Sequence, residues 1–136
     1  MSVSRELQTA ILNALVADAG VGALVGDRIY DGMPSNGQYP CITVGPTDSF
    51  NEDLACVDAR TETVQLDVWS RDQGRMGPCK DICDAVKDAL HLADITLTQH
   101  ALIRIRTGGI RVFRDADGIT AHGVVTVEAD LEEING

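Results

Sequence analysis

The chain has 136 residues, of which 44% are hydrophobic and only 4% aromatic, and its formal net charge is −10. That length suits one domain, residues 1–136, with a core of Val, Ile, Leu and Ala rather than of rings. The acidic balance excludes duplex binding through clustered Lys and Arg, no apolar run approaches membrane-spanning length, and the N-terminus lacks a signal peptide's cationic and apolar regions.

In chain order, "SRELQTAILNALVADAG" predicts an amphipathic helix. Ser4 caps it, Leu7, Ile11, Leu12 and Leu15 form its apolar stripe, and Gly20 ends it. A connection punctuated by Gly and Pro follows up to Pro40, with a short extended piece at "DRIYDG". "CITVG" is a strand. "PTDSFNEDLACVDAR", residues 46–60, is a polar stretch and predicts a long loop or extended arm. "TETVQLDVW" is the clearest strand, with Val64, Leu66 and Val68 on one face and Thr63, Gln65, Asp67 and Trp69 on the other.

A second helix is expected over "GPCKDICDAVKDALHLA", with Pro78 in its first turn and Cys79, Ile82, Cys83, Val86, Ala89 and Leu90 on its apolar stripe. "ITLTQ", "ALIRIRT", "GGIRVFRD" and "GITAHGVVTVEADL" then read as strands. "DADG", Asp115 to Gly118, is a hairpin turn with glycine at the left-handed position, and Gly108-Gly109 offers room for a bulge. The fold class is α+β: a mainly antiparallel sheet with two helices on one face. It is mixed if the passage through residues 63–106 creates a parallel pair.

Chemistry-bearing patterns are weak. Ser70, Asp72 and the three histidines form no G-x-S-x-G elbow and no Cys/His signature. Cys79 and Cys83 lie at i, i+4, but on the stripe expected to face the core, with no further zinc ligands marked. The four cysteines, Cys41, Cys56, Cys79 and Cys83, read as buried or idle thiols in a reducing compartment. "DADG" lacks the ligand spacing of a calcium loop, and "GALVGDR" lacks the P-loop lysine. No catalytic, cofactor-binding or metal-binding residue is therefore assigned.

Two features bear on surfaces. Arg104, Arg106, Arg111 and Arg114 precede the hairpin turn, while Glu128, Asp130, Glu132 and Glu133 follow it. They are either cross-strand pairs on a solvated face or separate basic and acidic zones suited to head-to-tail contact. Trp69, the only tryptophan, lies on the polar side of its strand, just before Arg71 and Arg75. Packing within the chain and contact with another subunit both account for it, since Trp and Arg are enriched at interface hot spots.

Three stretches taken together carry a family likeness. They are "VGDRIYDGMP" with "YPCITVG", then "LDVWSRDQGR" running into "ICDAVKDALH", and finally "VFRDADGITAHGVVTVEA". In this order and spacing, from about Val21 to Ala129, the chain resembles the tail-completion, or tail terminator, family of long-tailed phages, prophages and gene transfer agents. The resemblance implies a structural virion protein and no enzyme. Such a subunit assembles with copies of itself into a ring, typically a hexamer, on the head-proximal end of the tail tube. The ring stops tube growth, offers a joining surface to the head-tail connector or stopper protein, and lets DNA pass without sequence-specific binding. Assembly would take place in the bacterial host cytoplasm, with no membrane and no cofactor.

The matching positions Arg28, Tyr30, Asp31, Trp69, Arg71, Arg75, Arg114 and Asp115 become candidates for fold or assembly. Trp69, Arg71, Arg75, Arg104, Arg106, Glu128 and Asp130 are the candidate subunit or tube interface. The alternatives are another neck component, such as a head-tail adaptor or stopper, and a small cytoplasmic enzyme.

Overall fold

The computed structural model describes residues 1–53 and 57–134; Cys56 lies outside them. Helix α1, Val3–Ala17, is capped by Ser2, whose side chain accepts from the Arg5 N–H. Ser4, the expected cap, turns inward instead and donates to Glu62 at 3.0 Å. Asp18 ends α1 and caps α2, Ala19–Val25, by accepting from Val21 N–H, and the chain bends by 79° between the two helices. This third helix was not expected. Its buried face is only Val21 and Val25, too short a repeat to stand out among glycines.

The described residues form five strands, β1 (Ile29–Tyr30), β2 (Cys41–Asn51), β3 (Ala59–Arg71), β4 (Ala101–Arg114) and β5 (Thr120–Glu132). Helix α3, Gly77–Leu90, joins β3 to β4, with Pro78 in its first turn as expected. The sheet order is β1-β2-β3-β5-β4. The sheet is mixed, but its parallel pair is β1 with β2. The passage through residues 63–106 makes none, because β5 inserts between β3 and β4 and is antiparallel to both.

One sheet face carries the core. Val64, Leu66 and Val68 of β3 and Val125, Val127 and Ala129 of β5 pack under Leu7, Ile11 and Leu15 of α1 and Ile82, Val86 and Leu90 of α3. Cys79 and Cys83 are buried there too, as small apolar groups. The same face buries one carboxylate completely. Glu62 accepts from Ser4, from Ser49 at 2.9 Å and from Arg60 at 3.2 Å, which fastens the start of α1 to the β2–β3 hairpin.

Over residues 46–60, where a long loop or extended arm is expected, the described part is the arm rather than the loop. It is mainly strand, with β2 running to Asn51 and β3 starting at Ala59. Every residue from Pro46 to Asn51 is exposed, so no apolar alternation announced the strand; pairing to β3 from Thr47 to Asn51 holds it. Conversely, "ITLTQ" is not a strand. Its end is held by Glu6, which accepts from Thr98 Oγ1 and from the backbone N–H groups of Gln99 and His100.

Burial pushes the Glu6 carboxyl up, but the hydrogen bonds from Gln99, His100 and Thr98 outweigh it and hold the group below the usual carboxylate range. A depressed folded-state pKa contributes stability above the unfolded-state value and loses it as pH falls through the folded-state value. Unfolding free energy is therefore expected to drop with acid below about pH 4.5, and to drop less steeply in Glu6→Gln. Urea titrations of both proteins over that range check this.

The expected strands "ALIRIRT" and "GGIRVFRD" are one strand, β4, whose register shifts between Thr107 and Gly109 at the anticipated bulge. The turn into β5 follows "DADG", with Gly118 at φ 74° and Asp117 accepting from Ile119 N–H, Thr120 N–H and the Thr120 hydroxyl.

Candidate assembly surface

The sheet face turned away from the helices displays the residues singled out above. Cross-strand register aligns Cys41, Trp69, His122 and Phe113 in one row. The Trp69 indole stacks on the His122 imidazole with centroids 3.8 Å apart and planes 17° from parallel. Phe113 tilts against the same imidazole at 4.7 Å. Trp69 Nε1 donates to Thr43 Oγ1 at 3.0 Å, and His122 Nε2 donates to Asp67 Oδ1 at 2.7 Å. The Trp69 ring thus finds its partners within its own chain.

Arg71 lies beside this row. Its guanidinium sits 4.1 Å from the centre of the Tyr39 ring, and its Nε donates to Thr120 Oγ1 at 3.0 Å. Arg75 stands apart in the turn before α3, exposed and paired with Asp72 at 3.3 Å. Arg28 and Arg114 brace loops: the first donates to the Pro40 carbonyl and the second to the Gly74 carbonyl, each at 2.7 Å. Tyr30 lies in β1 and Asp115 sits 3.8 Å from His122 Nδ1. A hollow of about 240 Å³ beside Trp69 is lined by Asp31, Met33, Tyr39 and Thr43.

Two of the four β4 arginines pair with acids of β5, while Arg111 and Arg114 lie opposite Val124 and Ala121. The register places Arg106 opposite Glu128 and Arg104 opposite Asp130. Arg106 bonds Glu128 at 2.7 Å and Asp130 at 3.1 Å, while Arg104 reaches Asp130 at only 3.8 Å. Antiparallel neighbours bring such residues directly across from one another, so these charges largely cancel within the subunit.

The remaining features lie at the sheet's two edges. Phe50 of β2 is 59% exposed and Ile103 of β4 is 63% exposed. Leu92, just past α3, is 64% exposed and held at φ 55°. Sequence reasoning missed all three. Phe50 falls in the expected loop or extended arm, Ile103 in an expected strand whose faces the sequence leaves unassigned, and a leucine in the left-handed region has no sequence signal. A groove of about 420 Å³ between α1 and residues 94–98 is lined by aliphatic side chains such as Ala10, Ala14, Ile95 and Leu97 together with polar ones such as Glu6, Asn13 and Asp94. Among the described residues, no three His, Cys, Asp or Glu side chains converge as metal ligands would.

In this acidic α+β subunit polar groups bond one another across the sheet, and the three most exposed large apolar side chains, Leu92, Ile103 and Phe50, stand on or beside its edges, a build that suits an assembly protein. Residues 9–132 match the family described as tail completion protein gp17, and the chain belongs to that family. It is a structural tail-completion protein of the phage-type virion tail, not an enzyme.

Two solved structures share its fold. One is a chain of the virion of a native gene transfer agent particle, 24% identical, with a TM-score of 0.89 over 96% of this chain and 98% of that one. The other is the bacteriophage SPP1 gp17 protein, 21% identical, with a TM-score of 0.59 over 98% of this chain and 91% of that one. No curated protein sequence matches the chain.

Proposed function

We propose that the chain acts as a tail terminator. Copies close into a ring, a hexamer on the pattern expected of the family, at the head-proximal end of the tail tube. The ring stops tube growth and presents the surface to which the head-tail connector or stopper protein joins. DNA passes through the centre, and a subunit with net charge −10 does not retain it by phosphate contacts. The observation that carries this reading is the family match over residues 9–132. A near-complete fold likeness to a component of a gene transfer agent virion supports it.

Electron microscopy of particles made without the protein tests it. A missing terminator is expected to leave tails of abnormal length, without heads. Tails of normal length beside leaking heads would instead make the protein a head-side adaptor, and the terminator reading would fall.

A further inference from the structure

The two long edges of the sheet are open at the same end. On the β2 side, β1 pairs only with Ile42 and Thr43, and leaves the arm from Thr47 to Asn51 uncovered among the described residues. On the β4 side the middle of the edge is covered: Leu92 N–H donates to the Ile105 carbonyl at 2.9 Å, and His91 Nδ1 accepts from Thr107 N–H at 3.1 Å. The stretch Ala101–Arg104 lies beyond that cover. Register carries Phe50 through Thr61 and Asp130 to Arg104, so the free part of β2 and the free part of β4 stand level along the strands.

Polarity and chemistry match as well. Strands β2 and β5 run one way, β3 and β4 the other. A like-oriented copy placed beside the sheet would set its β2 antiparallel to β4, so the alternation continues across the boundary. Unpaired edges invite such pairing; on β4 the register against β5 shifts between Leu102 and Arg104, so the free stretch carries an irregularity at Ile103. Each edge carries exposed apolar groups, Phe50 on one and Ile103 with Leu92 on the other. The arm adds Asp48, Glu52 and Asp53, all exposed and without ion pairs among the described residues. The β4 edge adds Arg104, 56% exposed and only loosely paired, and the exposed Arg111.

We infer that the occupant of the β4 edge is the β2 arm of a second copy, with Phe50 of one subunit seated against Ile103 and Leu92 of the next and the arm's carboxylates facing Arg104. The contact joins two different patches, the kind that closes a ring rather than a two-fold dimer. The inference rests on the ring reading above and names the surfaces that make the ring.

Cysteine trapping tests it. In a Cys56→Ser background, Phe50→Cys and Ile103→Cys are introduced together, and tails carrying the protein are treated with a mild oxidant. Within one subunit three strand spacings keep these positions roughly 14 Å apart, beyond disulfide reach, so any bond joins copies. The expected result is a ladder of covalent multimers ending at the ring's copy number, with no ladder from either single variant. In parallel, Phe50→Lys or Ile103→Glu alone is expected to lower ring occupancy about ten-fold or more, and the pair together to restore it. Both side chains are exposed, so an unchanged thermal midpoint confirms that the variants fold. Rings without a ladder or rescue overturn the edge assignment and leave the ring reading standing. Absence of any ring from the unmodified protein overturns both.

Discussion

Gly123→Ala is expected to lower the unfolding free energy by about 2–3 kcal/mol, read as a shifted urea midpoint at unchanged slope. Alanine normally improves on glycine within a strand, so a loss would report crowding. Gly123 sits on β5 between Val68 and Val112, directly beneath α3. A Cβ there would collide with Cys83 Sγ, stand 3.0 Å from Cys79 Sγ and press on Val68 at 3.3 Å. All three neighbours are fully buried, so none has room to move aside. The hydrogen bond with Cys79, together with burial, holds the Cys83 sulfur far above its ordinary pKa, so it packs as a neutral thiol. The relieving change is Cys83→Ala. Alone it should cost about 1 kcal/mol for the small cavity it leaves, whereas in the Gly123→Ala background it should recover most of the loss. Simple addition of the two losses would show that the strand, and not the helix–sheet contact, had been damaged.

The helix–sheet half of this fold was legible because burial writes a period into the sequence. Leu7, Ile11 and Leu15 recur on α1, Ile82, Val86 and Leu90 on α3, and Val64, Leu66 and Val68 alternate on β3; all are buried. The β2 arm was not legible as a paired strand, because a strand exposed on both faces needs no apolar residue. Nor was the edge-to-edge order β1-β2-β3-β5-β4, since a local pattern does not say which strand lies beside which. The same gap explains the charge cluster. Arg106 and Glu128 are 22 residues apart in sequence, and only the β4–β5 register reveals that they meet. Three of the seven candidate interface residues, Arg106, Glu128 and Asp130, are engaged with one another, and Arg104 reaches Asp130 loosely. The exposed edge side chains of Phe50, Ile103 and Leu92 carried no marker.

Trp69→Ala is expected to destabilise the isolated subunit by about 3–4 kcal/mol, the cost typical of emptying a packed aromatic position. The indole covers the His122 ring, borders the hollow lined by Tyr39, and donates to the Thr43 hydroxyl. Without it the imidazole loses its stacked partner, while the His122–Asp67 bond is left more open to water. Trp69→Phe separates the contributions. It keeps a ring against His122 and removes only the indole N–H, so it should cost about 1 kcal/mol beyond the lost area. Measuring both variants by urea unfolding on dilute subunits removes any contribution from neighbouring copies, because an interface residue loses nothing until its partner arrives. A large loss in the isolated chain, with ring formation retained at temperatures where the variant stays folded, assigns Trp69 to packing within the subunit. A stable Trp69→Ala monomer that no longer assembles on tails would move it to the interface and would require the row Trp69, His122, Phe113 to be a docking surface.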